Sequence, residues 1–256
     1  MILTDTHTHL YAEEFKEDRE AMIQRALDAG VSRMFLPNID STSIEDMMAL
    51  AAQFPENCFP MMGLHPCSVK SDFEKELQLV EEWYHKRKFC AVGEIGIDLY
   101  WDKTFAKEQE IAFRRQIALA KKLEIPIVIH CRESFEEIYT IVRELNDKKL
   151  RGIFHCFTGS FEEAQKIIAL GGFKMGIGGV LTFKNSKLGE VVSQIDLKYL
   201  VLETDSPYLT PTPFRGKRNE SAYIIYIAKK LAGLHNISLE EVASITTENS
   251  REIYGI

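Results

Sequence analysis

The sequence predicts an α/β fold, an eightfold TIM (β/α)8 barrel. Three observations carry that expectation: a length of 256 residues, the alternation of short apolar runs with helix-period segments, and polar residues placed where the apolar runs end. Barrels of this kind run to about 250 residues. A hydrophobic content of 45% is enough to fill one large core, so residues 1–256 are expected to form a single domain.

Eight runs read as strands, at 1–5, 33–37, 58–64, 89–95, 127–130, 152–157, 172–177 and 199–204. Between the third and fourth, Phe73, Leu77, Val80 and Tyr84 fall at i, i+4, i+7 and i+11, the spacing of one helix face. Phe113, Ile117 and Ala120 mark a longer helix before the fifth strand. Phe135, Ile138, Val142 and Leu145 repeat the stripe after the fifth strand, and Phe161, Ala164 and Ile168 do so after the sixth. Strands separated by helices pair in parallel, and eight units in this length favour closure over an open sheet. A loop rich in proline and charge, residues 207–220, follows the eighth strand. Two helical stretches near 223–231 and 239–246 then close the barrel.

The opening residues carry no basic stretch followed by an apolar one, and no later run is apolar over the length of a bilayer. A soluble, cytoplasmic chain with no membrane partner is expected. Cys58, Cys67, Cys90, Cys131 and Cys156 are odd in number and scattered singly, which argues against a disulfide framework and against a thiolate zinc site. The net charge of −7 provides no basic footprint for a polyanion, so composition alone does not suggest DNA. Bound divalent cations change the local field whatever the overall charge, and function must be read from the site.

That site is marked by polar residues at the C-terminal ends of the strands. His7 and His9 end the first, and period-2 alternation sends both imidazoles to one side. Glu94 ends the fourth, His130 the fifth, His155 the sixth and Asp205 the eighth. A lone strand-end histidine is more often a hydrogen-bonded rim group than a ligand. Four histidines and two acids converging on one barrel mouth are hard to explain as core filling, because unpaired charges there are costly to bury. Imidazole nitrogen and carboxylate oxygen are donors for first-row divalent metals.

In order along the chain, THTHL (6–10), GLHP (63–66), VGEIGID (92–98), IHCRES (129–134), HCFTGS (155–160), LETDSPYL (202–209) and RGKRNE (215–220) resemble the TatD family of metal-dependent deoxyribonucleases, a branch of the amidohydrolase-like superfamily. The series covers nearly the whole chain and is far more specific than an HxH pair. The resemblance implies two divalent cations, Mg²⁺, Mn²⁺ or Zn²⁺, with His7, His9 and Asp205 on one, His130 and His155 on the other, and Glu94 bridging. It implies hydrolysis of DNA phosphodiesters, on single strands or 3′ ends in the manner of a 3′-5′ exonuclease. A two-metal-activated hydroxide would attack, with Asp205 as both ligand and proton acceptor. One position departs from the family pattern: Ser221 stands where proline usually follows Arg-Asn-Glu.

His65 in GLHP is expected to contact substrate phosphate, and Arg132 to bind substrate at the rim. Glu203 lies on the same face as Asp205 and one layer deeper, where it would orient water or a ligand. Asp98 and Asn219 are weaker rim candidates, and His85 and His235 lie away from the strand ends. Cys131 and Cys156, each next to a proposed ligand, are expected to face the surrounding helices. A carbonyl-centre hydrolase, such as an amidase, lactonase or aminoacyl-tRNA deacylase, could use the same metal site. A catalytically idle scaffold would be expected to have lost a ligand, and none is lost.

Overall fold

Short β-branched and apolar runs buried on both faces form eight parallel strands in the computed structural model, which describes residues 1–256 throughout. They are β1 (Leu3–Asp5), β2 (Val31–Leu36), β3 (Cys58–Pro60), β4 (Val92–Asp98), β5 (Ile127–Arg132), β6 (Gly152–Phe154), β7 (Phe173–Ile177) and β8 (Leu200–Leu202). Strands β1 to β3 and β4 to β8 pair in sequence order. Backbone hydrogen bonds also cross both seams. At the β3–β4 seam Met62 and Val92 form a parallel bridge, and Gly93 N donates to Met62 O at 3.1 Å. At the β8–β1 seam Thr6 N donates to Leu202 O at 3.0 Å and Asp205 N to His7 O at 2.9 Å. Consecutive strands are therefore neighbours all the way round, which leaves no long edge to be capped.

The helices are α1 (Arg19–Asp28), α2 (Ile44–Gln53), α3 (Phe73–Lys86), α4 (Ala106–Leu123), α5 (Phe135–Leu145), α6 (Phe161–Leu170), α7 (Leu188–Val192), α8 (Ile224–His235) and α9 (Leu239–Tyr254). Ser160 and Ser238 start α6 and α9 with capping boxes closed by Glu163 and Glu241. The helix stripes bury against the outer face of the strands in one apolar layer. A second, smaller core fills the barrel itself, from Phe35, Met61, Ala91, Val128, Ile153 and Val201. Helix α9 plugs this core: the Tyr254 ring stacks on Phe35 at 3.8 Å between centroids, and its hydroxyl donates to Thr6 O at 3.1 Å. With that plug in place, the C-terminal ends of the strands remain for a site.

Strand ends differ from the sequence expectation. β4 runs four residues past Glu94, to Asp98, and β5 runs past His130 to Arg132. Strands β1, β6 and β8 instead stop before His7, His155 and Glu203. Polarity of a side chain does not stop backbone pairing, and Asp98 pairs with Arg132. The β4–β5 register shifts between Val92 and Ile95, beside Glu94. Gly96 continues β4 at φ 152°, so close to β5 that a Cβ would lie 2.0 Å from His130 O. The two last helices are longer than expected, and α7 is a single short turn. No helix is long and apolar enough to cross a membrane.

Candidate metal centre

Six sequence-predicted ligands meet at the barrel mouth, with Glu94 at the middle. Its side chain is 2% exposed, and its two oxygens divide their neighbours. Oε2 is 3.0 Å from His7 Nε2 and 3.8 Å from His9 Nε2. Oε1 is 2.7 Å from His130 Nδ1, 3.7 Å from His155 Nε2 and 3.4 Å from His65 Nε2. Asp205 Oδ1 stands 3.6 Å from His9 Nε2 and 3.8 Å from both His7 Nε2 and His155 Nε2. The His7 and His155 rings stack at 3.4 Å between centroids. Asp205 takes a left-handed backbone, φ 56°, a conformation rare for a side chain other than glycine and retained only where surrounding bonds hold it. Here Asp205 N is held by His7 O and Asp205 O by Tyr208 N.

The far nitrogen of three imidazoles lies beside an oxygen, which orients the ring and leaves the near nitrogen facing the centre, although at His155 the contact lacks hydrogen-bond geometry. His9 Nδ1 lies 2.9 Å from the Tyr11 hydroxyl, which gives its own proton to Pro37 O. His130 Nε2 lies 2.8 Å from Asp98 Oδ2, and His155 Nδ1 lies 2.9 Å from Glu203 Oε1. His65 is turned the other way. Cys67 N donates to its Nδ1 at 3.0 Å, so the neutral ring carries its proton on Nε2 and points an N–H at the centre rather than a lone pair. His7 is fully buried; its Nδ1 has no polar partner, and its Nε2, 3.0 Å from Glu94 Oε2, lacks hydrogen-bond geometry. An orphaned buried imidazole is costly unless another group, such as a cation, takes its lone pair.

Burial pushes His7 well below the ordinary imidazole range, with the nearby His155 adding to the shift, and burial holds His9 down at about 4. Both are therefore neutral and able to ligate. Burial would also lower His155, but Glu203, Glu94 and Asp205 raise it to about 10; Asp98 and Glu94 likewise raise His130. Burial would raise Glu94, yet His7, His65 and His155 hold it well below the carboxylate range. Asp205 is pushed up to about 7 by burial, against the pull of His155. A cation here would displace protons from His155 and His130 and favour the ionised form of Asp205.

Several expectations change in detail. Glu203 is fully buried behind His155, so it faces that imidazole and not the open mouth. Asp98, read from sequence as a weak rim group, is 1% exposed and holds His130. Its place two and four residues along β4 from Gly96 and Glu94 is the period-2 signal that could have found it. Tyr11, two residues past His9, was not singled out by sequence. Asn219 is fully buried; its amide donates to Thr204 O and Tyr208 O and braces the loop that carries Asp205. Cys156 does not face the helices: at φ 49° it turns back, its N donates to Glu203 Oε1 at 2.7 Å, and its sulfur lies among the ligand atoms of His155 and Glu203. Burial, with Asp205 adding, keeps that thiol protonated. Ser221 donates to Asp5 Oδ2 at 2.6 Å, a bond that a proline there could not make. Arg132 is exposed at the rim, with no carboxylate in ion-pair range and its guanidinium 3.9 Å above the Tyr100 ring.

A family profile described as TatD related DNase matches residues 4–255. The chain belongs to the TatD family. Among its TatD relatives, a protein of Bacillus subtilis named as the uncharacterized metal-dependent hydrolase YabD is 41% identical over the whole of both chains. A protein of Erwinia tasmaniensis named 3'-5' ssDNA/RNA exonuclease TatD is 30% identical over 98% of this chain and 99% of its own. The crystal structure of YjjV, a TatD homolog from Escherichia coli, superposes with a TM-score of 0.93 at 28% identity, covering 99% of this chain and 98% of that one. The TatD chain described here is thus a metal-dependent hydrolase on a TIM-type α/β barrel.

Proposed function

We propose that this chain hydrolyses phosphodiesters of single-stranded DNA from a 3′ end, with two divalent cations held by His7, His9, Glu94, His130, His155 and Asp205. The observation that carries the reading is the division of Glu94: one oxygen faces His7 and His9, the other His130 and His155. Two cations so bound would supply Lewis acidity to a phosphoryl group and an acidified water as nucleophile. His7, His9 and Asp205 form one half of the cradle, His130 and His155 the other, and Glu94 joins them. Asp98, Glu203 and Tyr11 act as positioning residues that hold ligand rings. The His65 Nε2–H and the Arg132 guanidinium are donors suited to phosphoryl oxygens. Asp205, the most exposed of the ligand carboxylates at 15%, can take the proton of the attacking water.

Substrate class is tested by depleting the chain of metal, restoring Mg²⁺, Mn²⁺ or Zn²⁺ singly, and assaying 3′- and 5′-end-labelled single-stranded DNA, small phosphodiesters and a panel of esters and lactones. The proposal expects stepwise shortening from the 3′ end and little carbonyl turnover. Rapid ester or lactone cleavage with intact DNA would replace it with a carbonyl-centre hydrolase.

A further inference from the structure

Leaving β4, the chain places two large aromatic side chains in the open: Tyr100 is 48% exposed and Trp101 69%. Exposed apolar rings side by side are unfavourable in water unless something covers them. They are not loose. Tyr100 N and Trp101 N donate to Asp98 Oδ1 at 2.9 and 3.1 Å, and the other oxygen of Asp98 holds His130. The rings meet edge to face at 4.9 Å between centroids. Arg132, two residues past His130, lays its guanidinium 3.9 Å from the Tyr100 centroid and 5.2 Å from that of Trp101. On the same side Trp101, Phe105, Val69, Lys70 and Asp98 line a pocket of about 210 Å³. That is below the roughly 300–1,000 Å³ of pockets that bury a whole drug-sized ligand, and it suits one planar ring system.

We infer that this platform is a nucleobase subsite: one unstacked base of the substrate strand lies against Trp101 while Arg132, which has no carboxylate partner, faces an adjoining phosphate. The inference rests on the nuclease reading above and specifies how that site grips its strand. An aromatic face beside cations is the pairing by which single strands are bound, since every base has a π-face and every linkage a negative charge. Only an unpaired strand can present that face, so the subsite favours single-stranded over duplex DNA. Through Asp98 the platform is fastened to His130, which keeps a docked base in register with the centre. The overall charge of −7 does not oppose this, because the cation over the rings, Arg132, is free of any carboxylate, whereas Lys70 in the same pocket is paired with Asp102 at 3.4 Å.

The chain has two tryptophans, Trp83 on α3 and Trp101, so Trp83→Phe leaves Trp101 as the sole emitter. The Mg²⁺-loaded protein is titrated with a short phosphorothioate oligothymidylate, which resists cleavage, and with an abasic strand of the same length and linkage. Stacking predicts that the base-bearing strand quenches Trp101 and the abasic strand does not. It also predicts that Trp101→Ala weakens binding of the base-bearing strand about tenfold, and of the abasic strand hardly at all. Equal quenching by both strands, or quenching by neither, overturns the subsite. Hydrolysis is followed separately on the natural strand. Base-dependent quenching without hydrolysis would sustain the subsite and sink the nuclease reading, whereas hydrolysis without such quenching would do the reverse.

Discussion

Glu94 is buried among five imidazoles, those of His7, His9, His65, His130 and His155, and against the cost of burial His7, His65, His155 and the bond to His130 favour its ionised form. A neutral amide at that position offers one oxygen and a nitrogen that donates, so it cannot serve both halves of the cradle. Glu94→Gln should fold, since the amide is nearly isosteric. It should also lose at least about a hundredfold in turnover, beyond the loss in His130→Ala, since even outer partners of metal ligands cost 10–100-fold. Two bound metals and near-parent rates in Glu94→Gln would show that the bridge is misassigned. His65 points an N–H at the same centre, so His65→Ala should slow turnover of DNA with metal content unchanged; loss of metal would make it a ligand instead. Proton linkage supplies a further prediction. The His155 value is raised to about 10, so the metal-free ring stays protonated through neutral pH and must release that proton on ligation. Metal affinity should therefore fall as pH falls, by about tenfold per pH unit for each proton released, and level off only as pH approaches the His155 value. Calorimetric titrations in buffers of different ionisation enthalpy measure the protons released, and a count of zero near neutral pH would refute the linkage.

Among the elements, β7 and β8 show how packing serves the site. Gly176 on β7 faces Glu203, and a Cβ there would lie 2.0 Å from Glu203 Oε2. The clash is with the end of a side chain and not with backbone, so Gly176→Ala should fold, with a lowered melting temperature because the buried Glu203 gives up its bond from Cys156 N. Displacing the carboxylate should free the His155 ring and cost about 10–100-fold in metal affinity or rate. A correctly folded Gly176→Ala protein with parental metal binding would mean that Glu203 does not position His155. These elements also show what sequence can and cannot reveal. All eight strands were legible because buried parallel strands are written as short apolar runs, and the α3 and α5 stripes because one helix face must be apolar. Strand ends were not legible at β4 and β5, where pairing continues through Asp98 and Arg132. The residues proposed as ligands were visible as polar residues out of place, and the fold brings them together. The partners that hold them were less visible: Asp98 and Tyr11 look like ordinary rim residues until the fold brings them to His130 and His9.

At the scale of the whole molecule, closing eight strands into a ring brings residues from both ends of the chain to one point: His7 and Asp205 are nearly two hundred positions apart in sequence, yet Asp205 N bonds His7 O. The far end of the ring is sealed by α9 through Tyr254, and the loop at 207–220 is tied to α1 by Arg218 on Asp18 and Arg25 on Glu220. These ties keep the Asp205 side of the mouth opposite the His130 side, which is the arrangement a shared carboxylate needs. The most direct test is diffraction from metal-replete crystals at the absorption edge of the bound metal. The account predicts two anomalous peaks, one among His7, His9 and Glu94 Oε2, the other among His130, His155 and Glu94 Oε1. A single peak, or peaks away from Glu94, would contradict it.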